Sequence, residues 1–156
     1  MGKSNGILLA TDGSEHATRA AIYAGDLARA LNAKVEIITV HSNEILNIQL
    51  LGVGAWPGAV PASSVSVEEI KTNVEASTQE GVFDPTIKAL GDIKTPVSVH
   101  QYWGHAGEII CERASALDCN LIVMGSRGRS TFVKIMMGSV TMQVLNHASC
   151  PVTVVK

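Results

Sequence analysis

The stretch Leu121-Ile122-Val123-Met124-Gly125-Ser126-Arg127-Gly128, followed after nine residues by Gly138-Ser139-Val140-Thr141, decides the fold of this chain. An apolar run, a glycine-rich loop and a helical pattern come in that order, which predicts a strand, a loop and a helix N-terminus. Glycines let backbone N–H groups turn toward an anion, and the first helical turn adds unpaired N–H donors. Ser139 is expected at or near the N-cap of the helix. The segment therefore predicts a phosphate site at the end of a buried strand.

The charges of this loop are all cationic. Arg127, Arg129 and Lys134 lie within eight residues with no acidic residue among them. Arginine binds phosphate oxygens through paired hydrogen bonds, so these charges favour a polyphosphate ligand over a plain surface hairpin. The loop is not a Walker A motif, because it lacks the Gly-Lys-Ser/Thr ending.

Outward from this loop, strand and helix patterns alternate along the whole chain. Short apolar or β-branched runs predict strands at 5–11, 34–41, 95–102, 120–124 and 151–156. Helical spacing predicts helices at 15–31, about 67–90, 106–117 and 139–147. This alternation indicates right-handed crossovers and an α/β fold with a doubly wound parallel sheet.

The segment 42–66 interrupts the pattern. Its glycines, prolines and serines predict an irregular, mobile connection. A functional lid, a partner surface and a tolerated insertion are all compatible with a connection of this length. No internal repeat and no linker is evident, so residues 1–156 are predicted to form one domain.

Composition restricts the function classes. The chain has 156 residues, 46% of them apolar and only 4% aromatic, which excludes a disordered chain and predicts an aliphatic core. A net charge of −2 gives no field that would attract nucleic acid or a membrane surface. No signal-peptide or membrane-span pattern is present, so a soluble cytoplasmic protein is expected. The three widely spaced cysteines are expected to be reduced and mostly buried.

Asp12 follows the first predicted strand and is the second candidate binding feature. Ligands of doubly wound sheets bind beyond the carboxyl ends of the strands, and both Asp12 and the glycine loop are expected at that edge. Its carboxylate suits ribose hydroxyls or an adenine amine, although Asp12-Gly13-Ser14 alone is an ordinary turn. The five histidines show no metal-ligand spacing, and no Ser-His-Asp triad can be assembled. No catalytic residue and no protein-only metal site is therefore predicted.

At this level of detail, Gly125-x2-Gly128-x9-Gly138-Ser139 resembles the nucleotide loop of the universal stress protein family, in its ATP-binding branch. The segments 7–14, 104–110 and 150–155 also resemble the first strand and its turn, a strand-to-helix turn and the last strand of that family. The resemblance runs from about residue 6 to the end, with 42–94 unmatched in detail.

The resemblance implies a Rossmann-like, five-stranded parallel sheet of order 3-2-1-4-5, similar to that of adenine nucleotide α-hydrolases. It implies that ATP binds at the strand ends. Whether Mg²⁺ accompanies the ATP stays open. It also implies a homodimer in which strand 151–156 pairs across the axis, and an exposed apolar edge strand gives a physical reason for such pairing.

Site residues carry over from the resemblance in three groups. Around adenine and ribose it places Ala10, Thr11, Asp12 and Val40, and at the ribose Met124 and Gly125. Around the phosphates it places Gly125, Arg127, Gly128, Gly138, Ser139, Val140 and Thr141. Thr11 stands where the family often has valine, which adds a hydroxyl close to the base.

The leading functional hypothesis is a nucleotide-dependent switch or adaptor that acts on an unidentified protein partner in a stress response. A slow ATPase is the first alternative, although no Walker lysine and no evident base near the loop can be named. A dimeric interaction module with a vestigial or AMP- or cAMP-binding site is the second. The sequence does not choose among ATP, AMP and cAMP.

Overall fold

The computed structural model describes residues 5–46, 66–129 and 136–156. Each predicted strand and helix is present, with ends shifted by at most two residues. The strands are β1 Gly6–Ala10, β2 Lys34–His41, β3 Val97–Trp103, β4 Leu121–Gly125 and β5 Val152–Val155. The helices are α1 Glu15–Leu31, α2 Val67–Thr78, α3 Asp84–Leu90, α4 Ala106–Ala116 and α5 Ser139–His147, with a π-helical turn at Gln79–Phe83.

The five strands form one parallel sheet in the order β3-β2-β1-β4-β5, which confirms the predicted fold class and strand order. β1 lies at the centre, and the chain passes to its other side between β3 and β4. In register, Leu9 of β1 lies beside Ile37 of β2 and Val123 of β4. The change of direction next to β1 leaves a crevice at the carboxyl ends of the strands.

Helix α1 packs closely on the sheet because its buried side is made of alanines and a glycine. Ser14 caps its N-terminus by accepting a hydrogen bond from the Ala17 amide at 3.2 Å. Asn32 ends the helix in the left-handed conformation that is common at helix C-termini. The first turn of α1 lies close to the carboxyl end of β4, where Gly125 meets His16.

The core consists of two aliphatic layers, one on each face of the sheet. Under α1 and α3 lie buried residues that include Leu9, Val35, Ile37, Phe83 and Val123. Under α4 and α5 lie Leu8, Ile38, Ile110, Ile122 and Val144. Phe83 is the one aromatic side chain among the fully buried large residues of the described ranges. The prediction of an aliphatic core is therefore confirmed with this one addition.

The polar helix predicted over 67–90 is divided into three parts. Ser66 and Glu69 form a capping box that starts α2. The helix widens into the π-helical turn around Gly81, and Pro85 lies in the first turn of α3. A glycine and a proline thus lie where the helix is divided. Most of the irregular segment predicted at 42–66, namely residues 47–65, lies outside the described residues.

The three cysteines are free thiols. Cys119 is buried, whereas Cys111 and Cys150 are half-buried. Burial raises the pKa of Cys119 to about 11, so this thiol stays protonated at neutral pH. Among the described residues, no helix is both long and apolar enough to cross a bilayer.

Candidate functional site

A cavity of about 520 Å³ opens at the carboxyl ends of β1, β2 and β4. The structure brings all twelve predicted site residues to its walls: Ala10, Thr11, Asp12, Val40, Met124, Gly125, Arg127, Gly128, Gly138, Ser139, Val140 and Thr141. They come from three strand ends, the glycine loop and the start of α5. Parallel strands deliver these distant segments to one edge of the sheet, which is why the site forms there.

One side of the cavity is apolar. Ile38, Val40 and Met124 line it from the strands, and Ile110 lines it from α4. Ile38, Ile110 and Met124 are buried members of the core layer under α4 and α5. This wall is therefore a continuation of the core, and it suits the faces of an aromatic base.

Another part of the cavity wall carries the donors of a helix N-terminus. Gly138, rather than Ser139, is the N-cap of α5, and Ser139 is its first helical residue. The first hydrogen bond of the helix runs from the Met142 amide to the Gly138 carbonyl at 3.0 Å. The amides of residues 139–141 consequently have no acceptor within the helix, and no acidic residue lies in its first turn. This end of the cavity attracts anions.

Thr141 fastens the start of α5 to the end of β4. Its hydroxyl donates to the Gly125 carbonyl at 3.0 Å in a buried contact. The Gly138 amide donates to the Ser126 carbonyl at 2.9 Å beside it. The hydroxyl of Thr141 is therefore used to position the helix, and its backbone amide is the group left for an anion.

The two arginines of the glycine loop are held by the protein itself. The Arg127 guanidinium donates through Nε to the Met136 carbonyl at 3.1 Å, which closes the base of the loop. The Arg129 guanidinium lies over Gly13, where a Cβ would stand 2.9 Å from it. Both arginines line the cavity. Lys134, the third predicted cation, lies outside the described residues.

Asp12 joins the end of β1 to the glycine loop. One carboxylate oxygen accepts from the Ser14 amide at 3.0 Å, and the other accepts from the Arg129 amide at 2.9 Å. Asp12 is half-buried at the cavity wall. The contact with the loop was not expected from the sequence, which suggested a partner in the ligand alone.

The hydroxyl of Thr11 serves the fold. It lies 3.1 Å from the hydroxyl of Thr86 on α3 and accepts from the Gly13 amide at 3.3 Å. Thr11 is 6% exposed. The hydroxyl that distinguishes Thr11 from valine therefore links β1 to α3.

Sequence reasoning missed a second group of cavity residues. Thr39 and His41 flank Val40 on β2, and their position at the end of a strand was the available signal. Residues from α2 and the turn after it had no such signal, because helical spacing does not reveal which strand ends a helix covers. The missed residues include Thr39, His41, Ser42, Ile45, Val74, Ser77, Thr78 and Val82.

Polar contacts hold α2 over this side of the cavity. The Gln101 amide donates to the Glu75 carbonyl at 3.2 Å, and its oxygen lies 2.9 Å from His41 Nε2. The Trp103 indole donates to the Glu75 carboxylate at 2.9 Å, and its ring packs on that of His41. Strand β3 thus connects α2 to the end of β2.

The described residues offer little to a metal ion on their own. They contain no group of three His, Cys, Asp or Glu side chains placed to hold one. Asp12 is the only carboxylate among the described residues that line the cavity. A Mg²⁺ bound here would take most of its ligands from phosphate oxygens and water.

Comparison with known proteins gives a consistent relationship over nearly the whole chain. The model of the universal stress protein family matches residues 4–156. A universal stress protein of Thermus aquaticus is 33% identical over 150 residues, which cover 96% of this chain and 97% of that protein. Universal stress protein YxiE of Bacillus subtilis is 29% identical over 164 residues, which cover 97% of this chain and 99% of that protein.

Solved structures with the same fold include hypothetical protein MJ0577, with a TM-score of 0.78 and 24% identity, covering 99% of this chain and 97% of that one. A universal stress protein in complex with cAMP has a TM-score of 0.63 and 24% identity, covering 99% and 98%. The universal stress protein of Archaeoglobus fulgidus in complex with dAMP has a TM-score of 0.59 and 21% identity, covering both chains fully at 100%.

Proposed function

This chain belongs to the universal stress protein family, and we propose that it binds an adenine nucleotide, in the first place ATP, in the cavity at the ends of β1, β2 and β4. Two structures with the same fold contain cAMP and dAMP. These ligands support nucleotide binding by proteins of this fold. The residues that line the cavity of this chain support nucleotide binding at that cavity.

One observation carries the proposal: a single cavity of about 520 Å³ joins an apolar wall to an anion-attracting helix N-terminus. A nucleotide has the same two-part chemistry, an aromatic base at one end and phosphates at the other. A hydrophobic ligand would leave the donors of α5 without partners, and a bare anion would leave the apolar wall wet. A nucleotide satisfies both ends.

The cavity residues suit the parts of ATP in a definite direction. The base would pack on Val40 and its apolar neighbours, and the ribose would lie near Asp12 and Met124. The phosphates would meet the glycine loop, Arg127 and the amides that begin α5 at Ser139. The α5 dipole and the loop arginines favour the negative charge of these phosphates.

The wider role that we propose is that of a cytoplasmic, single-domain switch or adaptor in a stress response, with the nucleotide altering a surface that a protein partner recognises. We also propose a homodimer formed through β5. This strand is an edge of the sheet, its residues are only half-buried, and Met142 and Leu145 on α5 are exposed. An apolar edge of this kind favours pairing with a second copy.

Binding is proposed rather than turnover. Hydrolysis of ATP needs a group that orients the attacking water. Among the described cavity residues, Asp12 and His41 are the only side chains that suit a general base, and both are hydrogen-bonded to other protein groups. The structure therefore favours binding of the nucleotide without hydrolysis.

Isothermal titration with ATP, AMP and cAMP tests the proposal, with GTP as the control for base recognition. Saturable heat with at least one adenine nucleotide, and weaker heat with GTP, is expected. Mass spectrometry of nucleotide released from the purified protein identifies the ligand carried from the cell. A folded protein that gives no saturable heat with any of the adenine nucleotides would contradict the proposal.

A further inference from the structure

The carboxylate of Asp12 occupies a backbone donor of the glycine loop. Its Oδ2 atom accepts the hydrogen bond of the Arg129 amide at 2.9 Å, and its Oδ1 atom accepts that of the Ser14 amide at 3.0 Å. The carboxylate therefore takes the position of an anion at the loop while it remains part of the cavity wall. Any ligand anion that approaches this amide meets a negative charge that already holds it.

Gly128 leaves the space in which this contact forms. A Cβ atom at Gly128 would lie 2.6 Å from Oδ2 of Asp12, closer than a real Cβ contact allows. The absence of a side chain at this position is thus a condition for the contact between Asp12 and the loop. Close approach of a phosphate is the reason that the sequence suggested for this glycine, and the structure supplies a second one.

Two kinds of ligand face different costs at this contact. A bare polyphosphate must displace or repel the carboxylate and offers no donor to replace the lost amide. A nucleoside phosphate carries ribose hydroxyls, which donate hydrogen bonds to a carboxylate and compensate it. The same residue therefore opposes the first ligand and assists the second.

We propose that Asp12 is a specificity-determining residue that makes phosphate binding at the glycine loop conditional on a ribose. The carboxylate occupies the Arg129 amide and so opposes the binding of free inorganic polyphosphates. Ribose hydroxyls donate hydrogen bonds to the carboxylate and release this amide. The proposal rests on the proposed function, because it assigns a selection to the same cavity.

The Asp12→Asn variant removes the negative charge of this carboxylate with little change of shape. The two amides bond different oxygens of the Asp12 carboxylate, and an asparagine replaces one of these oxygens with an NH2 group that cannot accept. One of the two contacts is therefore lost, and the other loses the negative charge that strengthens it. Glu44→Gln is the matched charge control, since Glu44 is exposed just after β2, two residues from Ser42 of the cavity wall. Both variants remove one negative charge, and only the first changes the contact with the loop.

Titration with ATP and with inorganic tripolyphosphate, at one ionic strength and without Mg²⁺, tests the proposal. In the Asp12→Asn variant we expect tripolyphosphate to bind about tenfold more tightly and ATP no more tightly than before, on the scale of one charge-assisted hydrogen bond. The preference for ATP over tripolyphosphate is expected to stay unchanged in Glu44→Gln. Equal shifts for both ligands in Asp12→Asn would overturn the proposal and leave nucleotide binding intact.

Limited digestion with trypsin gives a second, ligand-free measurement, because Arg127 and Arg129 are cleavage sites beside the contact. Asp12→Asn and Gly128→Ala are expected to raise the rate of cleavage after these arginines several-fold, since the first weakens the contact by removing its negative charge and the second displaces Oδ2 of Asp12. Glu44→Gln is expected to behave as the unmodified protein. Unchanged cleavage in both variants would overturn the proposal that Asp12 holds the loop through the Arg129 amide. Absence of ATP binding by the unmodified protein would refute the proposed function, while digestion and tripolyphosphate affinity would still decide the role of Asp12.

Discussion

The backbone of Gly125 at the end of β4 packs against that of His16 in the first turn of α1. A Cβ atom at Gly125 would lie 2.8 Å from the carbonyl carbon of His16 and 3.0 Å from the Ala17 amide nitrogen. These neighbours are backbone atoms, so they cannot move aside as a side chain would. Gly125 is therefore required for the packing of α1 on β4, in addition to its place at the cavity.

The first prediction compares two glycines of the same loop. Gly125→Ala is expected to lower the free energy of unfolding by about 1–3 kcal/mol, the usual cost of overpacking. Gly138→Ala is expected to cost less than about 1 kcal/mol, because its Cβ would meet Arg127 only at 3.4 Å, an ordinary contact. Urea unfolding measures both, and equal losses would show that the Gly125 contact is not limiting.

The second prediction concerns the hydroxyl of Thr141. Thr141→Val keeps the shape but leaves the Gly125 carbonyl without its buried donor. We expect a loss of about 1–3 kcal/mol in the free energy of unfolding, as for other buried acceptors that lose their partner. Thr141→Ser retains the donor and serves as the control, so it is expected to recover most of the loss. A serine variant as unstable as the valine variant would mean that the methyl group, not the hydrogen bond, matters.

The third prediction concerns the pH dependence of stability. Burial raises the pKa of the Glu36 carboxyl, but contacts with His100 at 2.9 Å and Lys34 at 3.3 Å outweigh it and hold the pKa below its ordinary value of 4.5. A carboxyl with a lowered pKa in the folded chain stabilises it above pH 4.5, and this stabilisation is lost as the pH falls through the folded value.

Replacement of Glu36 by glutamine tests this dependence. Stability at neutral pH is expected to fall, and the decline of stability as the pH falls below about 4.5 is expected to become shallower. Glu15→Gln is the control, because the Glu15 side chain is 83% exposed and pairs only with Arg19 across one helical turn. An unchanged acid slope in Glu36→Gln would show that other carboxyls carry the effect.

The fourth prediction separates base recognition from general packing. Val40 and Val154 are both half-buried valines that pack on the core layer under α4 and α5, but only Val40 lines the cavity. Val40→Ala is expected to weaken the binding of ATP, AMP and cAMP by a similar factor, about three- to tenfold, because apolar area against the base is lost. Val154→Ala is expected to lower stability without changing affinity. Equal affinities in the two variants would remove Val40 from the base site.

Strands and helices were predictable because each depends on a local pattern. The buried alanines of α1 recur at helical spacing, and Ser14 and Asn32 mark its two ends. The parallel strands are continuous apolar runs because both of their faces are covered. The glycine loop was predictable for the same reason: strand, loop and helix are adjacent in the chain.

The missed half of the cavity shows where local patterns fail. Val74 and Thr78 lie on α2, whose position over β2 depends on contacts between residues far apart in the chain, such as that of Gln101 with Glu75. Hydrophobic spacing states which side of α2 is buried, but not which strand ends lie beneath it. The segment before α2 also lacks a recognisable pattern, so the sequence does not indicate how the chain runs from β2 to α2.

The amino-acid sequence by itself determined the fold class, and through a family resemblance it also indicated the strand order and the twelve residues that meet at one cavity. Only the tertiary structure decided how those residues are used. It shows that the hydroxyls of Thr141 and Thr11 form hydrogen bonds within the protein. It also shows that Gly125 allows close packing of His16 and that Asp12 accepts a hydrogen bond from the glycine loop. The physical reason is that a residue's identity sets its chemistry, whereas its partners are set by segments that only folding brings together.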